Sequence, residues 1–347
     1  MLKSSGPACL TLVRRPGSVS MNAKRRIRYV LEGLAGFLLV LSGAARRASR
    51  TAFDGGGVTG IFFHNPGKRL FRKYVRWLKR NGYVFISSQE LIQIMKHRSR
   101  PPGGAVWISF DDGWRGNLGN VVPTLLQYEI PATFFVSTSP VENSGVFWWT
   151  YARKYECELP DVTRNRAERL WCIGERERRE IVEELERRFS QDMKREALTV
   201  EEIRHMSALP MVTIGSHTVH HPIMPNCTEE ELEFQIRRSK ELLEEWTGKE
   251  VNCFAYPNGD FSGKEIPFLK KNGYELAATT RSRLISSDDD RYLLPRLCGI
   301  DGGFFCRSLC GTLGVWLPFV EGMKRLMRSL GLSWLVGFLK AQEGDGA

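Results

Sequence analysis

From residue 58 onward, short runs dense in β-branched and aromatic residues recur at 58–63, 106–110, 132–137, 211–215, 252–256 and 275–279. Between them lie stretches of helical periodicity at 68–80, 121–127, 229–246 and 264–271. Runs this apolar suit strands covered on both faces, and the intervening helices supply the crossovers that parallel strands require. The number of β/α units favours barrel-like closure over an open sheet. In such folds chemistry gathers at the carboxyl ends of the strands, so a polar motif directly after one of these runs carries extra weight.

Two segments stand outside this rhythm. Residues 140–200 read as an insertion. It opens on an aromatic patch (Phe147, Trp148, Trp149, Tyr151), either a sugar-stacking lip or core packing, and continues into a charged helix over 175–188. There Glu175/Arg179, Glu183/Arg187 and Glu184/Arg188 take the favourable i, i+4 order of a solvated helix. Residues 313–339 form a broken amphipathic pattern, read either as a second interfacial contact or as the last helices closing the barrel.

Charge decides which partners are plausible. The 347 residues hold 50 Lys and Arg against 39 Asp and Glu, a net +11, while 42% hydrophobic residues exclude a disordered chain. Ten basic side chains and one acid, Glu32, fall within residues 1–50, so +9 sits there and only +2 on residues 51–347. A nearly neutral body offers no nucleic-acid stripe. Ile27, Val30, Leu31, Leu34, Leu38 and Leu41 follow helical spacing between the basic clusters. The uncharged stretch 33–45 would be about 20 Å long as a helix, against roughly 30 Å of hydrocarbon. The expectation is a membrane-associated segment lying in the interface, on an unspecified side. A signal or anchor sequence read from Met21, with small residues Ser42, Gly43 and Ala44 at its end, is a second reading. A helix that merely packs on the domain is a third. Eight cysteines form no C-x-x-C pair, so buried free thiols are expected.

Chemistry concentrates at two strand ends. Asp111 and Asp112 follow the run 106–110 and precede Gly113; His217, Thr218, Val219, His220 and His221 follow the run 211–215. His217 and His221 are spaced i, i+4, so one helical turn would bring both imidazoles to one side. With a carboxylate from the other strand they make a two-histidine, one-carboxylate face with positions left for water and substrate.

These residues resemble the polysaccharide deacetylases, carbohydrate esterase family 4, built on the NodB-homology domain. Ser109-Phe110-Asp111-Asp112-Gly113 matches the first family motif, His217-Thr218-Val219-His220-His221 the second, and Phe254-Ala255-Tyr256-Pro257-Asn258-Gly259 a variant of the third. Likeness extends to Phe62-Phe63-His64, to Pro131–Phe135 and to Leu294-Pro295-Arg296. The resemblance implies an α/β fold, a distorted (β/α) barrel, over about 51–300, with residues 1–50 as an N-terminal segment and 301–347 as C-terminal amphipathic helices. It further implies that Asp112, His217 and His221 bind one divalent metal, usually zinc, with cobalt or nickel acceptable. Asp111 would be the general base, and the backbone N–H near Asn258 an oxyanion donor. Asn258, Tyr256 and Trp114 are the expected substrate-binding residues.

Two departures matter. Many members carry an arginine that orients the base where Ala255 stands, and Arg296 is the candidate replacement. A late histidine normally protonates the leaving group, yet no histidine follows His221. His64, at the end of the first strand, is the first candidate for that acid and His220 the second. The implied activity is N-deacetylation of an amino sugar in a polysaccharide or glycolipid. O-deacetylation, another amide hydrolysis, or a catalytically silent glycan-binding protein are the alternatives.

Overall fold

The computed structural model describes residues 23–54, 56–159, 166–301 and 304–331. Its centre is a sheet of eight parallel strands: β1 (Thr59–Phe63), β2 (Val84–Phe85), β3 (Ala105–Phe110), β4 (Ala132–Val136), β5 (Val212–Ser216), β6 (Cys253–Ala255), β7 (Leu276–Ala278) and β8 (Leu297–Cys298). Their order is β7-β6-β5-β4-β3-β1-β8, with β2 paired to β3 off this path. One short segment brings the two edges together. Leu294 exchanges hydrogen bonds with β7, donating to Ala277 O at 2.9 Å and accepting from Thr279 N at 2.7 Å. Three residues later Leu297 pairs with Ile61 of β1. The chain is therefore a distorted (β/α) barrel, as the strand count suggested.

Strand alternation sorts the side chains. Ala105, Trp107, Phe135, Cys253, Ala255, Leu276 and Ala278 form the barrel interior. Val106, Ile108, Phe110, Phe134, Val136, Ile214 and Phe254 pack outward under the helices. The amino end is plugged by a helix the apolar runs did not announce, Ser88–His97, whose Leu91, Ile92 and Met95 join the interior. Ser87 and Glu90 start it as a reciprocal capping box. Close packing inside requires glycine at 215, where a β-carbon would lie 2.6 Å from the Phe135 ring.

The insertion forms its own small core from Trp148, Tyr151, Leu159 and Leu185. Its helix Glu175–Phe189 is present, but the expected ion pairs are not the ones formed. Arg179 donates to Glu183 at 3.0 Å, Arg188 to Glu158 at 2.7 Å, and Arg187 pairs with Glu184. Glu175 and Arg178 are buried together, because this face of the helix covers the barrel rim instead of solvent. Of the described cysteines Cys227, Cys253 and Cys310 are buried as expected, whereas Cys157 and Cys172 are exposed.

At the N-terminus, helix Ala23–Leu41 packs one face on helix Phe305–Thr312, which lies beside Lys68–Arg80. A β-carbon on Gly36 would stand 2.5 Å from the Arg307 backbone, so the close approach depends on glycine. Among the described residues no helix is long and apolar enough to cross a membrane. The Met21 start of the signal reading and residues 332–347 of the C-terminal pattern lie outside the described residues.

The interior depends on Trp107, fully buried, with its indole N–H donating to Thr133 Oγ1 at 3.1 Å. Trp107→Ala should cost about 3–5 kcal/mol, measured as a lowered urea midpoint at unchanged slope. A loss under about 1 kcal/mol would mean that the barrel interior is not the stabilising core.

Candidate metal and catalytic site

Alternation that buries Trp107 also sends Ser109 and Asp111 to the same inner face, one above the other at the carboxyl end of β3. Asp111 receives a bidentate arginine. Arg296 Nη1 donates to Oδ1 at 2.7 Å and Nη2 to Oδ2 at 2.8 Å. The same guanidinium donates to Ser109 Oγ at 2.9 Å and to Thr279 O at 3.1 Å, and lies 4.7 Å from the Phe62 ring centre. Arg296 is wholly buried and stands on the segment that joins the sheet edges. It therefore contacts Asp111, the carboxylate expected to be the general base.

Asp112 turns the other way. Its φ of 74° puts a non-glycine residue in the left-handed region. Oδ1 then stands 3.4 Å from both His217 Nε2 and His221 Nε2, while Oδ2 accepts from the Trp114 indole at 2.8 Å. All three side chains are buried, and one ligand atom from each lies within 4.8 Å of the others. Ligands about 2.0–2.1 Å from a tetrahedral ion stand about 3.3 Å apart, so the 3.4 Å spacings suit a first-row divalent ion. Tautomers agree. His217 Nδ1 lies 2.7 Å from Ala255 O, which can only accept, so Nδ1 carries the proton and Nε2 keeps its lone pair. Burial, with His217 adding to it against the pull of Asp112, lowers the His221 pKa to about 4, leaving its imidazole neutral. Burial alone would raise the Asp112 carboxyl, but the two imidazoles and His64 outweigh it and hold it well below the usual range.

His64 closes the third side. Its backbone N–H and that of Asn65 donate to the two oxygens of Asp301, at 3.3 and 3.2 Å, and its Nδ1 lies 3.7 Å from Asp301 Oδ2. Burial opposes the charged imidazole, yet Asp301, Asp112 and Asp111 together raise its pKa to about 9, so it is protonated at neutral pH. His220 has the opposite surroundings. Burial and the nearby Arg179 and Arg178 lower it to about 3, and its Nδ1 is engaged by Gln235 Nε2 at 2.7 Å.

Of the three expected substrate contacts, two are corrected. Tyr256 follows Phe254 on the outward face of β6, is fully buried, and donates its hydroxyl to Tyr292 O at 3.0 Å. Trp114 is buried against Phe147 and serves Asp112. Asn258 does lie in the turn at the end of β6, with φ 56° and a buried Nδ2 that has no partner among the described residues. The aromatic patch divides between its two readings: Phe147, Trp148 and Tyr151 are buried, while Trp149 takes an intermediate position. It is half-buried, stacked on Phe147, and edge-on to the His221 ring at 4.6 Å.

Sequence reasoning missed what holds His221. Its carbonyl accepts both the Trp148 indole at 3.1 Å and Arg178 Nη1 at 3.0 Å. Arg178 lies 4.5 Å over the Trp148 ring with Glu175 as its buried counter-ion. Gln235 Oε1 adds hydrogen bonds from the backbones of Val219 and His220, at 3.0 and 2.9 Å. Nothing in the sequence separates Arg178 from the other arginines of its helix.

The chain belongs to the polysaccharide deacetylase family, whose model matches residues 98–277. Among curated relatives, the poly-beta-1,6-N-acetyl-D-glucosamine N-deacetylase of Staphylococcus epidermidis is 22% identical over 227 residues, 65% of this chain and 65% of the relative, a little under two thirds of its length. The fold matches the Streptococcus pyogenes deacetylase PplD, solved with acetate (TM-score 0.55, 17% identity, 74% of this chain and 98% of that one). It also matches IcaB of Ammonifex degensii (TM-score 0.51, 21% identity, 70% and 91%).

Removing Arg178 should loosen the His221 loop. Arg178→Met strands Glu175 in the interior and should cost about 3–5 kcal/mol, whereas Glu175→Gln/Arg178→Met should recover part of that loss. In the double variant, affinity for a divalent ion by calorimetric titration should still fall about 10–100-fold. Unchanged affinity would confine Arg178 to folding.

Proposed function

We propose that the protein is a metal-dependent N-deacetylase that hydrolyses the acetamide of an amino sugar in a polysaccharide or glycolipid, working at a membrane surface reached through its N-terminal segment. The observation that carries the chemistry is the pairing of two adjacent carboxylates in different surroundings. Asp112 faces two imidazoles 3.4 Å away and Asp111 is gripped by Arg296. Support for the substrate class comes from family membership and from the staphylococcal relative, which is named for poly-N-acetylglucosamine.

In this reading Asp112, His217 and His221 hold one divalent ion, most naturally zinc, with cobalt and nickel suited to the same donors. When bound, that ion polarises the acetyl carbonyl and makes a neighbouring water more acidic. Asp111 accepts the proton of the attacking water. Arg296 occupies one lone pair on each Asp111 oxygen and fixes the carboxylate plane, while a second lone pair on each remains for that proton. The backbone N–H at Asn258 donates to the developing oxyanion. His64 then gives its proton to the sugar nitrogen as the C–N bond breaks, so the products are acetate and a free amine. Trp149, half-buried beside His221, offers an aromatic surface at the rim for a sugar ring.

Acetate release from N-acetylglucosamine oligomers, with bound metal measured on the same samples, tests the assignment. Wild type should release acetate, Asp111→Asn should keep its metal and lose activity, and Asp112→Ala should lose both. A metal-loaded wild type that releases acetate from O-acetyl esters alone would assign the ester chemistry. Release from no acetylated glycan would leave a binding protein.

The acid has its own signature. His64 donates only while protonated, so kcat should fall as pH rises through its pKa, which lies at about 9 without an ion on Asp112 and lower with one. His64→Ala should lower kcat about 10²–10⁴-fold and erase that alkaline limb without loss of metal. An unchanged pH profile would remove His64 from the reaction.

A further inference from the structure

Helix Ala23–Leu41 has two unlike faces. One is fixed to the domain: a β-carbon on Gly33 would stand 2.5 Å from the Phe304 ring, Cys310 Sγ lies 3.6 Å from Gly36 O, and Ala35, Leu39 and Val40 pack with Trp316 and Val320. The other carries Val30, Leu31, Leu34, Phe37, Leu38 and Leu41, each 48–66% exposed. At 100° per residue these six fall within a 120° arc, an apolar stripe about 17 Å long that the described residues leave uncovered. Stripes of this kind mark an interaction surface.

Charge says what covers it. Glu32, the one acid in residues 1–50, is turned to the domain side, 3.8 Å from Arg307. The basic run 24–28 precedes the stripe and Arg46, Arg47 and Arg50 follow it, exposed, on the next helix, Ala44–Phe53. Five residues beyond Leu41, Arg46 also lines an open cavity of about 370 Å³ together with Arg80, Ser49, Asn81, Phe53 and the Trp77 ring. Two guanidiniums and the second amide proton of Asn81, whose first goes to Trp77 O, near an apolar stripe match a phosphate headgroup and its acyl chains. A second copy of this chain would instead bring two cationic flanks together, a like-charge arrangement that costs free energy.

Resting on the membrane attachment proposed above, we infer that the outward stripe of helix Ala23–Leu41 lies flat in an anionic phospholipid surface, with the Arg46–Arg80 cavity taking a lipid phosphate. The domain stays docked on the opposite face through Gly33 and Gly36, so the attachment is monotopic. Phe304, against Gly33, is three residues beyond Asp301, whose carboxylate meets His64. The amino-terminal end of the stripe therefore lies on the side of the barrel that carries the site.

Vesicle flotation of the full chain tests this. Vesicles of phosphatidylcholine containing phosphatidylglycerol should bind at least about tenfold better than phosphatidylcholine alone, with the difference fading in high salt. Leu34→Gln/Leu38→Gln should lower partitioning at least about tenfold on either vesicle. Arg46→Gln/Arg80→Gln should lower it about fivefold per arginine on the anionic vesicles only. Acetate release from a soluble oligosaccharide should be the same in all preparations, which reports intact folding. Its failure alongside intact vesicle binding would count against the deacetylase and leave the surface standing. Equal partitioning of wild type and Leu34→Gln/Leu38→Gln overturns the proposal. So does a chain that ignores vesicles and forms a dimer in light scattering that the same double variant dissociates.

Discussion

Arg296 reaches from the segment joining the two edges of the sheet to both oxygens of Asp111, and the working geometry of the barrel mouth hangs on that contact. An ion pair taken wholly out of water loses hydration that its mutual attraction restores only when the geometry is good and the remaining donors are satisfied. Here Ser109 and Thr279 accept further hydrogen bonds, and Phe62 and Phe135 flank the guanidinium. Barrel closure and orientation of the Asp111 carboxylate are thus one event. Leu294 pairs with β7, Leu297 with β1, and the arginine between them can point only into the interior.

Around this pair the backbone is held in costly conformations. Among the described residues six non-glycine positions have positive φ, and four of them, Asp112, Thr218, His221 and Asn258, belong to the site. Each costs of order 1–3 kcal/mol and persists only where its surroundings over-determine it. For the His221 loop those surroundings are identifiable: Gln235 takes two backbone N–H groups, and Trp148 and Arg178 share one carbonyl. The insertion therefore belongs to the machinery of the site. It contributes the buried clamp behind His221 and the half-buried Trp149 beside it.

Much of this was legible in the sequence because strands buried on both faces leave unbroken apolar runs, and six of the eight strands were visible that way. The other two, Val84–Phe85 and Leu297–Cys298, are two residues long, too short for any periodicity to register. Asp112, His217 and His221 were readable because both motifs directly follow strands. Tyr256 was misplaced because motif membership was allowed to override strand alternation, which sends it outward behind Phe254. Arg178 was invisible because pairing rules for exposed helices say nothing about which charged face a fold will bury. The contact of Glu32 with Arg307 puts it on the protein side of its helix.

The central claim is that the closing segment aims the base through Arg296. The most direct test is kcat for acetate release by Arg296→Lys, with metal content quantified on the same sample. Lysine keeps the charge but cannot grip both carboxylate oxygens. The account predicts kcat lowered about 10–100-fold, with metal content and KM unchanged. An unchanged kcat would contradict it, leaving Arg296 as a structural counter-ion and Asp111 positioned by something else.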